Sequence, residues 1–358
     1  MTIDTQILWR IFNNTTNSYK YLFFISLLEL LKTSEFKSKK ITYKELGSMM
    51  LAYAWYPKKY FRLSFGKQDQ IDKFLEQLIF ARKLMPIGTI YKKILLESSL
   101  DLEILLRYVP QRLIRDFFVD ELFGKKDGLV DSLIVSLSSN GVNKLSMPLY
   151  RIDQKNQVIE LDDDWIFFIK SNFAPIFEWS LWNWAKYLQK HNPNIPSILN
   201  KLMPPISRES LAKQKFMWDS LIDKSIIRCI YTNEIIKKNY HLDHFLPWSF
   251  VAHNQLWNLI PTSPEINIVK SDSIPNEQYV PALAKAHHMM LLESKKVIPE
   301  KKWCQEISIY TGVLNVEHVF DLLDLEKLTN RYLKTYNPLI EIATNNGFPG
   351  NWRLRQDK

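Results

Sequence analysis

Residues 241–275 read HLDHFLPWSFVAHNQLWNLIPTSPEINIVKSDSIP. The pair Asp243-His244 is followed by Asn258 and then by Asn267. A histidine can take a proton from water near neutral pH. An aspartate oxygen and a carboxamide oxygen can hold one hard divalent cation against a phosphate. These side chains suffice for metal-assisted phosphodiester cleavage. The surrounding pattern predicts strand, strand, helix over 226–272. Ile226 to Tyr231 is β-prone, Asn233 to Asn239 turns, and Tyr240 to His244 returns as the second strand. Strand alternation sends Leu242 and His244 to one face, His241 and Asp243 to the other. Ser263 with Pro264 suits the Ncap and first position of a short helix carrying Glu265, Asn267 and Lys270. That helix is expected to bring Asn267 back to the aspartate.

The Asp-His pair, the Pro247-x-Ser249 turn, Asn258-Leu259 and Asn267-x-x-Lys270-Ser271-Asp272 together resemble an HNH (His-Me finger, ββα-metal) nuclease domain. The variant is the one whose third signature residue is Asn, and the spacings are similar to those of the HNH domain in RNA-guided CRISPR nucleases. The resemblance places the Asp-His pair at the strand's end, where the backbone leaves strand geometry. It implies that His244 deprotonates the attacking water, and that Asp243 and Asn267 ligate one Mg²⁺ (or Mn²⁺). Asn258 would brace the loop that holds the histidine. Glu265 becomes an outer-shell metal ligand and Lys270 a phosphate contact. An isolated Asp-His pair is more often a satisfied structural pair; four motif positions in shared context favour the nuclease. His241, His253, His287 and His288 lack such context. His253-Asn254 reads as loop, and His287-His288 falls in a helical run whose neighbours point about 100° apart, a poor chelate.

Composition bounds the rest. A chain of 358 residues, 46% hydrophobic and 24% charged, reads as two or three globular parts. Its net charge of +9 favours a polyanionic partner, here DNA. Only 9 glycines occur, with no phosphate-cradling glycine loop. Two cysteines, Cys229 and Cys304, exclude a disulfide framework and a four-cysteine zinc site within one chain. Many HNH domains carry two CxxC knuckles; Cys229-Ile-Tyr-Thr232 keeps the first cysteine of one and lacks the second, so no structural zinc is expected. The cysteine usage suits a reducing cytoplasm. The opening MTIDTQ has no basic leader, and the apolar run Tyr21 to Leu31 is too short to span a bilayer, so no membrane partner is expected.

The predicted class is mainly α with a small α+β insert. Residues 1–200 are expected as a helical N-terminal domain with a small hairpin near 149–162, residues 201–280 as the HNH domain, and 281–358 as C-terminal helices. Within the first, Tyr19 to Lys32 is apolar on nearly every face, which means burial on several sides. Ile71 to Leu84 shows a helical period. The aromatic and basic run 52–62 is either a base-stacking patch or, more simply, a core edge with solvated lysines. Asp162-Asp163-Asp164 precedes a helix-like 165–190 and reads as an N-cap and dipole match rather than a metal cluster. Breaks fall at 192–196 and 204–205. The helix of 207–223 carries Arg208, Lys213 and Lys215. With Arg228, Lys237, Lys238 and Lys270 it supplies the candidate phosphate contacts. Further helices are expected at 277–292, 300–311 and 315–345.

The sequence thus predicts a Mg²⁺-dependent HNH endonuclease acting on DNA, with an antiphage role as its context. The helical flanks would hold a protein partner or a second copy. The alternatives are an RNA-cleaving toxin effector and a non-catalytic nucleic-acid-binding module; an intact His244, Asp243 and Asn267 argue against the last.

Overall fold

The computed structural model describes residues 3–78, 84–139, 147–205 and 210–354. The fold is mainly helical with two small antiparallel sheets. The chain divides into two compact units, 1–193 with 198–206, and 194–197 with 207–358.

In the first unit, α1 (Tyr19–Thr33) is buried continuously from Tyr21 to Leu28 and again at Leu30 and Leu31. This is the outcome expected of a helix apolar all round. Its Ser18 N-cap side chain does not cap; it bonds Asp69 instead. β1 (Lys40–Thr42) leads into α2 (Tyr43–Trp55) through a reciprocal capping box between Thr42 and Glu45. The aromatic run continues as one π-helical turn, Tyr56–Tyr60. Tyr53, Trp55, Tyr56 and Phe61 are all buried, so this run is core rather than a stacking surface.

The expected hairpin forms as β2 (Tyr150–Asp153) and β3 (Val158–Leu161), with β1 pairing to the far edge of β3. Asp162 caps α3 (Asp163–Ser171) by accepting from the Asp164 N–H at 2.9 Å. The single helix expected over 165–190 is two, because α4 (Phe173–His191) restarts after Asn172. Pro175 explains the restart. It has no N–H for the carbonyl four residues back, but fits in the first turn of a new helix. The period read over 71–84 yields only Ile71–Glu76 as helix, and residues 79–83 lie outside the described ones.

The second unit packs one core from α5 (Ala212–Asp223), β4 (His241–His244), β5 (Leu259–Thr262), the short α6 (Pro264–Lys270), α7 (Val280–Val297), α8 (Glu300–Leu314) and α9 (Leu325–Asn345). The segment read as a finger and the C-terminal helices therefore share their hydrophobic interior. Trp218, Leu259, Met290, Trp303, Tyr332 and Tyr336 are all fully buried within it. The expected strand over 226–231 is not regular. Arg228 and Ile235 make one isolated bridge around a tight turn, with Cys229 N–H donating to the Glu234 carbonyl and Asn233 N–H to the Cys229 carbonyl. The strand that pairs with β4 comes after it, as β5.

Candidate active site

β4 and β5 pair with Asp243 opposite Ile260 and His244 opposite Leu259. β4 ends at His244, and the chain leaves into a loop that returns at Asn258. Asn258 is fully buried and ties that loop shut. Its Oδ1 accepts from the Leu246 N–H at 2.9 Å, its Nδ2 donates to the Leu246 carbonyl at 2.8 Å, and its own carbonyl accepts from the Phe245 N–H. Pro247 then starts one short helical turn, Trp248–Val251, closed by Ala252 in the left-handed region at φ 54°. α9 supports the return from beneath. The Tyr336 hydroxyl donates to the Trp257 carbonyl at 2.8 Å, and its ring stands edge-on to Phe245.

The side chains of the Asp-His pair have separate surroundings. His244 is half-buried, and its Nε2 lies 3.0 Å from Asn254 Oδ1. A carboxamide oxygen there calls for a proton on Nε2, so the neutral tautomer carries its lone pair on Nδ1. The Asn254 carbonyl in turn accepts from Gln214 Nε2 of α5 at 3.0 Å, which sets that helix beside the histidine loop.

Asp243 is only 3% exposed. Its Oδ2 accepts from the Tyr231 hydroxyl at 2.9 Å, and its Oδ1 pairs with Lys270 Nζ at 3.0 Å. Burial pushes the Asp243 carboxyl above its usual range, against the pull of Lys270 and Tyr231. The same burial raises the Tyr231 phenol well above its ordinary value, so it stays a donor. Tyr231 is wedged edge-on against Tyr279 and Trp352. Trp352 is held because its N–H donates to the Ile274 carbonyl and its own carbonyl accepts from Asn276.

α6 begins as its sequence dictates: Ser263 Oγ accepts from the Ile266 N–H, and Pro264 takes the first position. Asn267 Nδ2 meets His241 Nδ1 at 3.3 Å, and it is Lys270, three residues on, that reaches Asp243. Lys270 also donates to the His244 carbonyl at 2.7 Å. Lys270, expected to contact phosphate, has its side chain fully buried in this ion pair. Glu265 is exposed, and its carboxyl is held below the usual range by its own N–H, by Ser263 and by nearby His241.

Of the other basic candidates, Lys213, Lys237 and Lys238 are exposed, and Lys238 pairs with Asp223 at 3.0 Å. Lys215 Nζ sits 5.2 Å from the Tyr240 ring centre. Arg228 is exposed and donates to the Asn233 carbonyl. Arg208 lies outside the described residues. His287 is a core residue, buried against Trp218, Tyr310 and Tyr332.

Sequence reasoning missed Tyr231, Asn254, His241 and Tyr336. Tyr231 and Tyr336 gave no local signal, since their partners lie 12 and 79 residues away. Asn254 sat in a stretch read as plain loop. His241 shares a strand face with Asp243, and that alternation was the one available clue.

Among the described residues, no three His, Cys, Asp or Glu side chains cluster as a ready metal cage. By type, the Asp243 carboxylate and the Asn267 carboxamide are hard oxygen donors of the kind Mg²⁺ takes, and Mg²⁺ keeps several waters, so few protein ligands suffice. Asp243 also carries a buried charge that requires a cation, which here is Lys270.

Residues 228–276 match the HNH endonuclease family model. No curated protein and no solved structure matches the chain. The matched segment runs from the turn that carries Tyr231, through β4, β5 and α6, to the residues clasped by Trp352.

Proposed function

We propose that this chain, whose residues 228–276 form an HNH-family domain, is a metal-dependent endonuclease that hydrolyses DNA phosphodiester bonds. The observation that carries the reading is the locked strand end. Asn258 clamps the loop directly after His244, while Asp243 and α6 sit on the other side of the same strand. A general base needs this kind of fixed mount, because proton transfer depends on reach before it depends on pKa.

In this reading His244 accepts a proton from water through Nδ1 as the water oxygen attacks phosphorus. Asn254 stabilises the imidazolium by keeping an oxygen on Nε2. The P–O3′ bond breaks, and the leaving oxygen takes a proton from solvent, giving a 3′ hydroxyl and a 5′ phosphate. Asp243 and Asn267 would hold a divalent cation, Mg²⁺ or Mn²⁺, with exposed Glu265 as an outer-shell acid. When bound, that ion neutralises charge on the transferring phosphoryl group and assists the leaving oxygen. Lys213, Lys215, Lys237 and Lys238 would track the substrate backbone; the contact from α5 to the His244 loop supports Lys213 and Lys215 in this role.

The test is one incubation of the purified chain with plasmid DNA, single-stranded DNA and RNA, with Mg²⁺ or with EDTA. The reading expects DNA cleavage that EDTA abolishes. Cleavage of RNA alone would make the chain an RNase, and no cleavage of any substrate would leave a binding module.

A further inference from the structure

We propose that Lys270 is a built-in cation at the Asp243 position, and that a divalent ion takes Asp243 only as the Lys270 ammonium leaves it. The inference rests on the metal-dependent reading of this site and names how the site is held without metal. Lys270 has no solvent exposure, and Asp243 has 3%. The ammonium donates to Asp243 Oδ1 at 3.0 Å and to the His244 carbonyl at 2.7 Å. Tyr231 donates to the other carboxylate oxygen at 2.9 Å.

A carboxylate this deeply buried needs a positive partner, because an unpaired buried charge is strongly destabilising. The structure supplies that partner from α6, the helix that also carries Asn267. A +2 ion on the same carboxylate would stand within a few ångströms of a fixed ammonium, in a low-dielectric setting where like charges repel strongly. Sharing is therefore disfavoured. Lys270 carries its ammonium on a flexible four-carbon stem, so the head can leave while α6 stays in place. Before displacement, the same ammonium fixes the carbonyl of His244 and thus the strand end that carries the base. Lys270 is in this sense a positioning residue.

Three measurements test this without nucleic acid. In the wild-type chain, lysine acetylation read by mass spectrometry should leave Lys270 protected in EDTA and expose it at saturating Mn²⁺. Protection unchanged by Mn²⁺ overturns the proposal. Lys270→Gln keeps a donor for the His244 carbonyl and removes the charge. It should melt below wild type in EDTA, be restabilised by Mn²⁺, and bind Mn²⁺ at least about tenfold more tightly by electron paramagnetic resonance. The double variant Asp243→Asn with Lys270→Gln should lose the Mn²⁺ response. Equal Mn²⁺ affinity in wild type and Lys270→Gln would sink the idea even if the protein cuts DNA. A Mn²⁺-dependent release of Lys270 in a protein that cuts nothing would uphold it and overturn only the nuclease reading.

Discussion

His244 and Asn258 stand at the two ends of one loop and have different jobs, which substitution should separate. The His244 side chain is half-buried, with its Nε2 against Asn254. His244→Ala should keep the melting temperature close to wild type while cleavage falls by about 10²–10⁴-fold, the range a general base contributes. Full activity in that variant would remove the assignment. Asn258 is enclosed and satisfies both backbone groups of Leu246. Asn258→Ala strands a buried N–H and a buried carbonyl, each costing about 1–3 kcal/mol. It should therefore lower thermal stability together with activity, measured by calorimetry alongside a cleavage assay. An Asn258→Ala protein as stable as wild type but inactive would mean that Asn258 works on substrate instead.

At the scale of elements, local signals predicted the sequence's local structures well and its pairings less well. The α1 burial, the Asp162 and Ser263 caps, the β2–β3 hairpin and the helix α6 all follow from neighbours within a few residues. The strand pairing at the site did not. Ile226 to Tyr231 has strand composition, yet the turn at Asn233 (φ 62°) folds it on itself, and β5 pairs with β4 in its place. Leu259–Thr262 holds a proline and is buried on every residue, so it showed no alternation. The placement of Asn267 beside His241, with Lys270 beside Asp243, depends on the rotation of α6 against β4, which periodicity alone does not fix. The C-terminal helices posed the same difficulty: nothing in their own pattern says that Tyr336 holds the Trp257 carbonyl. They also impose an acid limit. His287 of α7 is enclosed by α5, α8 and α9, and burial lowers its pKa from 6.5 to about 3. Below 6.5 the unfolded chain takes a proton that the folded chain refuses, so stability falls as pH drops from about 6.5 towards 3, by at most about 1.4 kcal/mol per unit. Denaturant titrations at about pH 7 and pH 4 should show a smaller acid loss in His287→Gln than in wild type. Equal losses would mean that other groups drive acid unfolding.

For the whole molecule, the net charge of +9 is the property that matters to a polyanion. Several exposed cations of the second unit are already engaged: Lys238 with Asp223, Lys224 with Glu293, and Arg228 with a carbonyl. Exposed pairs of this kind are worth only about 0–1 kcal/mol each, so a phosphate can compete for the cation. Binding should therefore release counterions, and log affinity should fall with log salt at a slope of about 0.9 per phosphate contact on duplex DNA. Fluorescence anisotropy in EDTA, across a salt series, measures that slope without cleavage. Lys213→Ala and Lys237→Ala should each lower the slope by up to about 0.9 if the residue holds one phosphate. Asn267→Ala should leave affinity nearly unchanged while stopping cleavage, since one carboxamide adds little beside several ionic contacts. Loss of binding in that variant, with Mn²⁺ present, would make the metal site the substrate's anchor. A slope near zero in the wild type would mean that the positive charge is dispersed over the surface and that the nucleic acid is held by another protein.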